Sequence, residues 1–366
     1  MKKRVGLLFG GKSAEHEVSL QSAKNVLEAI DPSKYDVVLI GIDKAGKWHL
    51  NDASQFLINA YDPKLITLNK TNKGIAVVPG EEQSQLVITD GMEALDQVDV
   101  IFPILHGTLG EDGSIQGMLR VANLPFVGSN VLGSAISMDK DIAKRLLKDA
   151  GLKVANSYTF TSSTKNSISY DEIKQQLNLP LFIKPANQGS SVGVSKVETK
   201  EEFEKAIEDA FKYDHKILIE EAIQGREIEC SILGNEDPIA SIAGEIIATN
   251  DFYSYEAKYI DESGAALQIP AKLSEEVTKQ IQEVAIKSFK ALNCEGMARV
   301  DVFLTKDNEI IVNEINTIPG FTKISMYPKL WELSGIAYSQ LIDKLIDLAI
   351  ERHQRDAALA STFESK

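Results

Sequence analysis

The sequence predicts a chain of mixed class, with a parallel α/β unit first and α+β units after it. Three observations lead there. Val5–Phe9 and Tyr35–Ile42 are short apolar runs, and between them Leu20, Ala23, Val26, Leu27 and Ile30 recur at helical spacing. Strand, helix and strand of these lengths make a parallel βαβ unit. From about residue 180, short β-rich runs follow one another with only a few helical stretches among them. The length of 366 residues exceeds one average domain, so two or three units are expected.

In chain order, Gly10-Gly11 turns the chain at the end of the first strand. Residues 44–98 are turn-rich and point to no chemistry. Val98–Leu105 reads as another buried strand, running into His106-Gly-Thr-Leu-Gly-Glu-Asp-Gly113. Ligand loops of open α/β sheets lie at the carboxyl ends of strands, so both glycine turns are expected to face one cleft. Asp139–Ala150 reads as a helix stopped by Gly151. A new unit then starts with strands at 180–184 and 192–197. Thr199 and Glu202 form a capping box opening a helix to about Phe211. Lys216–Glu221 and Glu227–Leu233 read as strands, followed by more strands, a helix at 275–291, a strand pair within 297–316 and a final helix at 338–352. The polar tail after His353 is expected to be loose. The expected units are 1–128, 129–222 and 223–366.

Bulk composition narrows the function. Hydrophobic residues make up 43% and charged residues 25%, as in a globular protein with ample core. A net charge of −14 argues against a nucleic-acid binder, which needs a concentrated basic face, but leaves a nucleotide possible. Cys230 and Cys294 are the only cysteines, too few and too scattered for a disulfide framework or a zinc site, so a reducing cytoplasm is expected. The apolar run after the N-terminal MKKR is too short for a signal peptide, and no run of about 18 apolar residues exists to cross a membrane.

One motif match is set aside. Gly6-Leu-Leu-Phe-Gly-Gly-Lys-Ser13 fits G-x-x-x-x-G-K-[ST] letter by letter. In a phosphate loop the four variable residues follow the strand, whereas Leu7, Leu8 and Phe9 here are the strand. Amides held in a sheet cannot cradle phosphate. What remains is Glu15 in a strand-end loop, where a carboxylate is ordinarily a solvated charge or a helix-start residue.

The strongest local signal lies near residue 300. In Arg299-Val-Asp301-Val-Phe303, Arg299 and Asp301 share a face, and in Ile310–Asn316 so do Glu314 and Asn316. With Asp307-Asn308 as a two-residue turn, Lys306 pairs with Glu309, Asp301 lies opposite Glu314, and Arg299 lies opposite Asn316. Opposed carboxylates destabilise a sheet unless something neutralises them. Three hard oxygen ligands suit Mg²⁺; the plainer alternative is an exposed polar face with Arg299 as counter-ion. A second signal is Lys184-Pro-Ala-Asn-Gln-Gly-Ser-Ser-Val-Gly-Val-Ser-Lys-Val197, a lysine and a Gly/Ser turn between two strands. Such a flap can close amides and hydroxyls over phosphates, with Gly189 and Gly193 giving freedom of approach; on its own it is equally an ordinary hairpin.

Together these features resemble the ATP-grasp superfamily and, within it, the D-alanine–D-alanine ligase family, over residues 3–350. The resemblance rests on GGKSAEHEVS, HGTLGEDG, MDK at 138–140, KPANQGSSVGVSKV, EAKY at 256–259, RVDVF and NEINTIPGFTKISMYP. It implies an N-terminal parallel βαβ domain followed by two α+β domains clasping ATP. By the same resemblance, Lys140 and Lys184 contact the α/β-phosphates, with Ser190 and Ser191 in the flap above them. Glu220, Glu221 and Ile223 line the adenine site, Glu227 holds the ribose, and Lys258 reaches the γ-phosphate. Asp301, Glu314 and Asn316 hold two Mg²⁺ ions, for which Mn²⁺ can substitute. Glu15 takes the ammonium of the first D-alanine, with His106 beside that substrate. Arg299 and the amide of Gly320 stabilise the oxyanion, and Ser325 and Met326 lie near the second D-alanine. Glu227, Ser190 and Tyr259 resemble a trio that locks the flap and a lid over the substrates, the lid being residues 247–264. The implied reaction is ATP-dependent formation of D-alanyl-D-alanine through an acyl phosphate, for peptidoglycan precursor synthesis in the cytoplasm by a homodimer. Alternatives are a D-lactate-using ligase, against which Lys258-Tyr259 speaks, a D-serine-using ligase, and a non-catalytic grasp-fold nucleotide-binding regulator. The departure from shorter relatives is the long 44–98 stretch.

Overall fold

A computed structural model of the chain describes residues 2–80, 83–91, 93–248 and 265–360. The expected βαβ unit is β1 (Lys3–Gly10), α1 (His16–Ala29) and β2 (Tyr35–Ile42), with β1 and β2 parallel from Lys3↔Tyr35 to Gly10↔Ile42. Helix α1 begins three residues earlier than its apolar spacing suggested. Strand β3 (Trp48–Asn51) joins β2 antiparallel. The turn-rich stretch folds into short strands β4 (Leu57–Ile58), β5 (Thr67–Leu68), β6 (Ile75–Val77), β7 (Leu86–Ile88) and β8 (Glu93–Ala94), which make two small sheets. Strand β9 (Val100–Ile104) completes the first sheet, parallel to β1, in the order β3-β2-β1-β9.

The unbroken apolar run of β1 follows from burial on both faces. Val5, Leu7 and Phe9 pack with Leu20 and Val26 of α1 and with Leu341, Leu345 and Ile346 of the C-terminal helix Tyr338–Ala357. Leu8 faces the other way, with Ile115 and Leu119 of α2 (Ser114–Val121). The C-terminal helix therefore belongs to the first sheet's core. It runs on past His353 to Ala357, with Arg352 buried in its last turns, so the tail is not loose from His353 as expected. At the end of β1, Gly10 has φ 90°, and a Cβ there would stand 2.2 Å from the Ile42 carbonyl oxygen. Only glycine fits.

After α3 (Val131–Met138) and α4 (Lys140–Asp149) comes a second, wholly antiparallel sheet. It contains β10 (Ser157–Thr161), β11 (Leu181–Pro185), β12 (Ser195–Val197) and β13 (Lys216–Glu221), in the order β10-β13-β11-β12. Ile183, Ile217 and Ile219 pack on α5 (Tyr170–Leu177) and α6 (Lys200–Ala210). The capping box of Thr199 and Glu202 opens α6 as the sequence suggested. β10 and α5 were not expected. β10 reads Ser-Tyr-Thr-Phe-Thr, a half-exposed edge strand without a run of buried aliphatics.

The third sheet contains β14 (Arg226–Gly234), β15 (Ile239–Ala248), β16 (Ala265–Gln268), β17 (Gly296–Leu304) and β18 (Ile310–Asn316), antiparallel in the order β16-β15-β14-β17-β18. Cys230, Ile232, Val300 and Val302 turn one face toward Ile281, Ala285 and Phe289 of helix Glu275–Ala291. Ala143 and Leu147 of α4 are buried in this same core. Alternation then sends Glu227, Glu229, Arg299, Asp301 and Phe303 to the opposite face.

The β17–β18 hairpin reaches the expected pairing by an unexpected route. Its loop is three residues, not two: the Thr305 amide donates to the Glu309 carbonyl at 3.0 Å, and Asn308 takes φ 60°. Leu304 pairs with Ile310 and Val302 with Val312, one residue out of the expected register. A bulge between Val302 and Asp301 absorbs Asn313 and restores it, so Asp301 faces Glu314 and Arg299 faces Asn316.

Phe289 is fully buried in the third sheet's core. Phe289→Ala should lower stability by about 3–5 kcal/mol, read as a fall in urea midpoint with unchanged slope.

Candidate active site

A cavity of about 480 Å³ lies where the three sheets meet. The first sheet contributes Glu15, His106 and Glu111 from its strand-end loops. The second contributes Lys184, Glu220 and Glu221, with Ser190 and Ser191 from the flap, and Lys140 comes from α4. The third contributes Glu227, Arg299, Asp301, Glu314 and Asn316, followed by Gly320, Ser325 and Met326; Ile223 lies at the β13–β14 connection. Every site residue expected from sequence lines this one space except Lys258 and Tyr259, which lie outside the described residues. So do residues 249–264, and with them all of the expected lid beyond the end of β15.

The two glycine turns do meet. The Ser13 hydroxyl donates to the His106 carbonyl at 2.8 Å, tying the first loop to the second. Glu15 is 6% exposed, and its carboxylate accepts from the Ser190 hydroxyl, which brings the flap down onto the first sheet's loop. Glycine at 189 follows from that closeness, because a Cβ there would stand 2.7 Å from Glu15 Oε2. Ser190 thus makes a contact with Glu15 that the sequence reading did not include. Flap residues Ser190, Ser191 and Gly193 all have positive φ, so the turn is tightly wound.

His106 is buried, and both ring nitrogens are engaged within the chain: Nδ1 with the Ile318 carbonyl at 2.9 Å and Nε2 with the Ser22 hydroxyl at 3.0 Å. Burial pushes the ring down to about 4, so the imidazole is neutral at neutral pH. It then donates from Nδ1 and accepts at Nε2. The ring braces the loop after β18 while lining the cavity.

Glu111, inside the HGTLGEDG stretch, was not singled out from sequence. Its carboxylate accepts from the amides of Gly107 and Ile318, both at 2.9 Å, so it too links the first and third sheets. Burial, helped by the nearby Glu15 carboxylate, pushes it up to about 8.

On the third sheet, the register Glu229↔Asp301↔Glu314 sets three carboxylates in one row. Arg299 lies among them. It grips Asp301 with two hydrogen bonds of 2.7 Å, and its Nε is 3.0 Å from Glu229. Sequence reasoning missed Glu229 because β14 and β17 are some seventy residues apart and nothing local fixes their pairing. The Asn316 amide donates to Asp301 at 3.0 Å. Lys140 lies 3.8 Å from Glu314 and donates to the Gln188 carbonyl at 2.6 Å.

Among the described residues, no group of three or more His, Cys, Asp or Glu is placed to hold a metal by itself. The donors that could contribute are the opposed carboxylates of Asp301 and Glu314 and the Asn316 amide, which would have to turn its oxygen inward. These are hard oxygen donors and fit Mg²⁺, provided that phosphate and water supply the rest.

On the nucleotide side, Lys184 is 2.7 Å from Glu220. Glu220 is 4% exposed, so its side chain is an internal counter-ion rather than an open group. Burial alone would raise its carboxyl, but Lys184 and Lys144 hold it below the usual range. Glu221 accepts from the Asn156 amide at 2.7 Å. At the far end, the Ser325 hydroxyl accepts from the Thr322 amide at 2.9 Å, and a Cβ on Gly320 would stand 2.6 Å from it.

Between the unfolded carboxylate range and about pH 8, folded Glu111 holds a proton that the unfolded chain has lost, so stability falls as pH rises through that window. Glu111→Gln should flatten that fall, as checked by urea midpoints at pH 5.5 and pH 8.5.

The chain matches the family models for the D-ala D-ala ligase N-terminus over residues 4–129 and the D-ala D-ala ligase C-terminus over residues 146–347. It is 71% identical to a D-alanine--D-alanine ligase of Oceanobacillus iheyensis over 362 residues, covering 99% of each chain. Among solved structures, the D-alanine-D-alanine ligase from Coxiella burnetii superposes with a TM-score of 0.82 at 40% identity, covering 97% of this chain and 96% of that one. The VanG D-Ala:D-Ser ligase from Enterococcus faecalis gives 0.84 at 39% identity, covering 95% and 100%. Glycine turns, flap and charged sheet face thus occur together in a chain that belongs to the D-alanine–D-alanine ligase family.

Proposed function

We propose that this chain is an ATP-dependent ligase joining two D-alanines into D-alanyl-D-alanine, a cell-wall precursor. The observation that carries the reading is the convergence in one cavity of Glu15, the glycine-serine flap and the Arg299–Asp301–Glu314 face. The whole-length relative at 71% identity, itself named a D-alanine--D-alanine ligase, supports it. Relatives at 71% and 67% identity over 99% of this chain are both named D-alanine--D-alanine ligases, which favours D-alanine as the second substrate.

In this reading ATP lies between the second and third sheets. Lys140 and Lys184 hold its α/β-phosphates, Ser190 and Ser191 cover them, and Lys258 reaches the γ-phosphate. Glu220, Glu221 and Ile223 border the adenine, and Glu227 meets the ribose. Asp301, Glu314 and Asn316 would hold two Mg²⁺ ions, with Mn²⁺ as a substitute; when bound, such ions neutralise phosphate charge. Glu15 receives the first D-alanine's ammonium, with His106 alongside.

A carboxylate is a poor electrophile. Its oxygen takes the γ-phosphoryl group as the bond to ADP breaks, giving an acyl phosphate. The protein's part in this step is positioning and charge neutralisation. The second D-alanine, near Ser325 and Met326, attacks through its neutral amine. Phosphate leaves and the amine proton goes to solvent. Arg299 and the Gly320 amide face the developing oxyanion, each worth about 10²–10³ in rate. The acyl phosphate must be kept from water, which gives Ser190, Glu227, Tyr259 and residues 247–264 their closing role. The unit boundaries 1–128, 129–222 and 223–366, a homodimer and a cytoplasmic location complete the proposal.

Phosphate release from ATP should depend on both D-alanine and Mg²⁺; turnover indifferent to D-alanine would remove this reading. Asp301→Ala should abolish turnover in a steady-state assay, and near-normal rates would show that the charged face is not the phosphate end. Incubation with D-alanine, D-serine and D-lactate together should yield D-alanyl-D-alanine as the main product by mass spectrometry.

A further inference from the structure

Lys140 and Lys144 stand four residues apart on α4, so both point to the same side. They face a charged strip on the second sheet, whose other face is the apolar contact with α5 and α6. Along β13 the strip starts with Lys216, which bonds Asp139 at the N-cap of α4. It continues to Glu220, with Lys184 diagonally across on β11.

Glu220 carries two lysines. Lys184 Nζ is 2.7 Å from Oε2, and Lys144 Nζ is 3.1 Å from Oε1. The three side chains are 10%, 4% and 5% exposed for Lys184, Lys144 and Glu220. Lys144 does not line the cavity, whereas Glu220 and Lys184 do.

A buried lysine–glutamate pair is neutral. Two lysines on one buried carboxylate leave a positive charge, and burial disfavours that charge unless an anion answers it. Burial pushes the Lys144 ammonium down and Lys184 adds to that, while Glu220 opposes both. Nothing in the packing requires the second cation, because an apolar side chain of the same length would fill the space under α4. The arrangement makes sense as a device that keeps Lys184 directed at the cavity. The Lys144 charge stands beside Oε1 as an ion pair without hydrogen-bond geometry, drawing that oxygen toward α4 and leaving Lys184 bonded at the other edge. Without Lys144, both oxygens could turn to Lys184 and draw its ammonium back from the cavity.

We propose that Lys144 is a positioning residue for the ligase reaction, acting through Glu220 to keep the Lys184 ammonium aimed at the phosphates of ATP. This rests on the function proposed above. Wild-type phosphate release dependent on D-alanine tests that reading, and the variants below test only this one.

Lys144→Met should raise KM for ATP about tenfold, the size expected for losing one charge-assisted contact. KM for D-alanine and kcat should stay within about threefold of wild type. Lys144→Arg should restore KM for ATP to within about twofold. Lys144→Gln, which keeps a polar group in the space, should behave like Met and serves if the Met variant is poorly folded. A merely structural lysine would instead lower the melting temperature and the active fraction, leaving KM for ATP unchanged. That result in whichever of the Met and Gln variants folds, or failure of Lys144→Arg to restore KM, overturns the proposal.

Discussion

Charge held away from water organises this molecule. Glu229, Asp301 and Glu314 stand in a row across three neighbouring strands, and such a row is tolerated only beside compensating cations. Arg299 supplies one of them through a two-point grip on Asp301. Across the cleft, Lys184 and Lys144 share Glu220. The cavity thus has an acidic wall with an embedded guanidinium and a basic wall with an embedded carboxylate. A metal–triphosphate complex brings the complementary charges to both walls at once.

The scaffold is arranged so that these walls cannot drift. Glu111 and His106, both on the loop after β9, bond the amide and carbonyl of Ile318 beyond β18. Ser22 of α1 accepts from the Phe321 amide. Helix α4 buries its apolar residues in the third sheet's core while its charged face meets the second sheet. The cleft is therefore bordered by elements that each belong to two units.

Much of this was legible from residue order. Strands with unbroken aliphatic runs, helices with clear spacing and the Thr199–Glu202 cap were found close to their observed limits, because burial on two faces or a local hydrogen-bond pattern leaves its mark within a few residues. The Asp301–Glu314 pairing was also found, although through an assumed turn that the structure replaces with a longer loop and a compensating bulge at Asn313. Bulges depend on tertiary demands and leave little local trace. β10, Glu229 and Lys144 escaped for the same reason: their significance lies in partners far along the chain. Glu111 was within reach, since it sits in a quoted motif, but an acid among glycines gives no sign that it will be held against two amides.

The helix Tyr338–Ala357 shares with α1 the apolar cover of one face of the first sheet, and Asp347 on that helix meets Lys3, in β1, at 3.0 Å. The first strand and this helix are thus stitched together across 344 residues. During synthesis, that face of the first sheet stays only partly covered until residues 338–357 have been made. A fragment ending before residue 338 would carry an aggregation-prone surface in place of a complete first core.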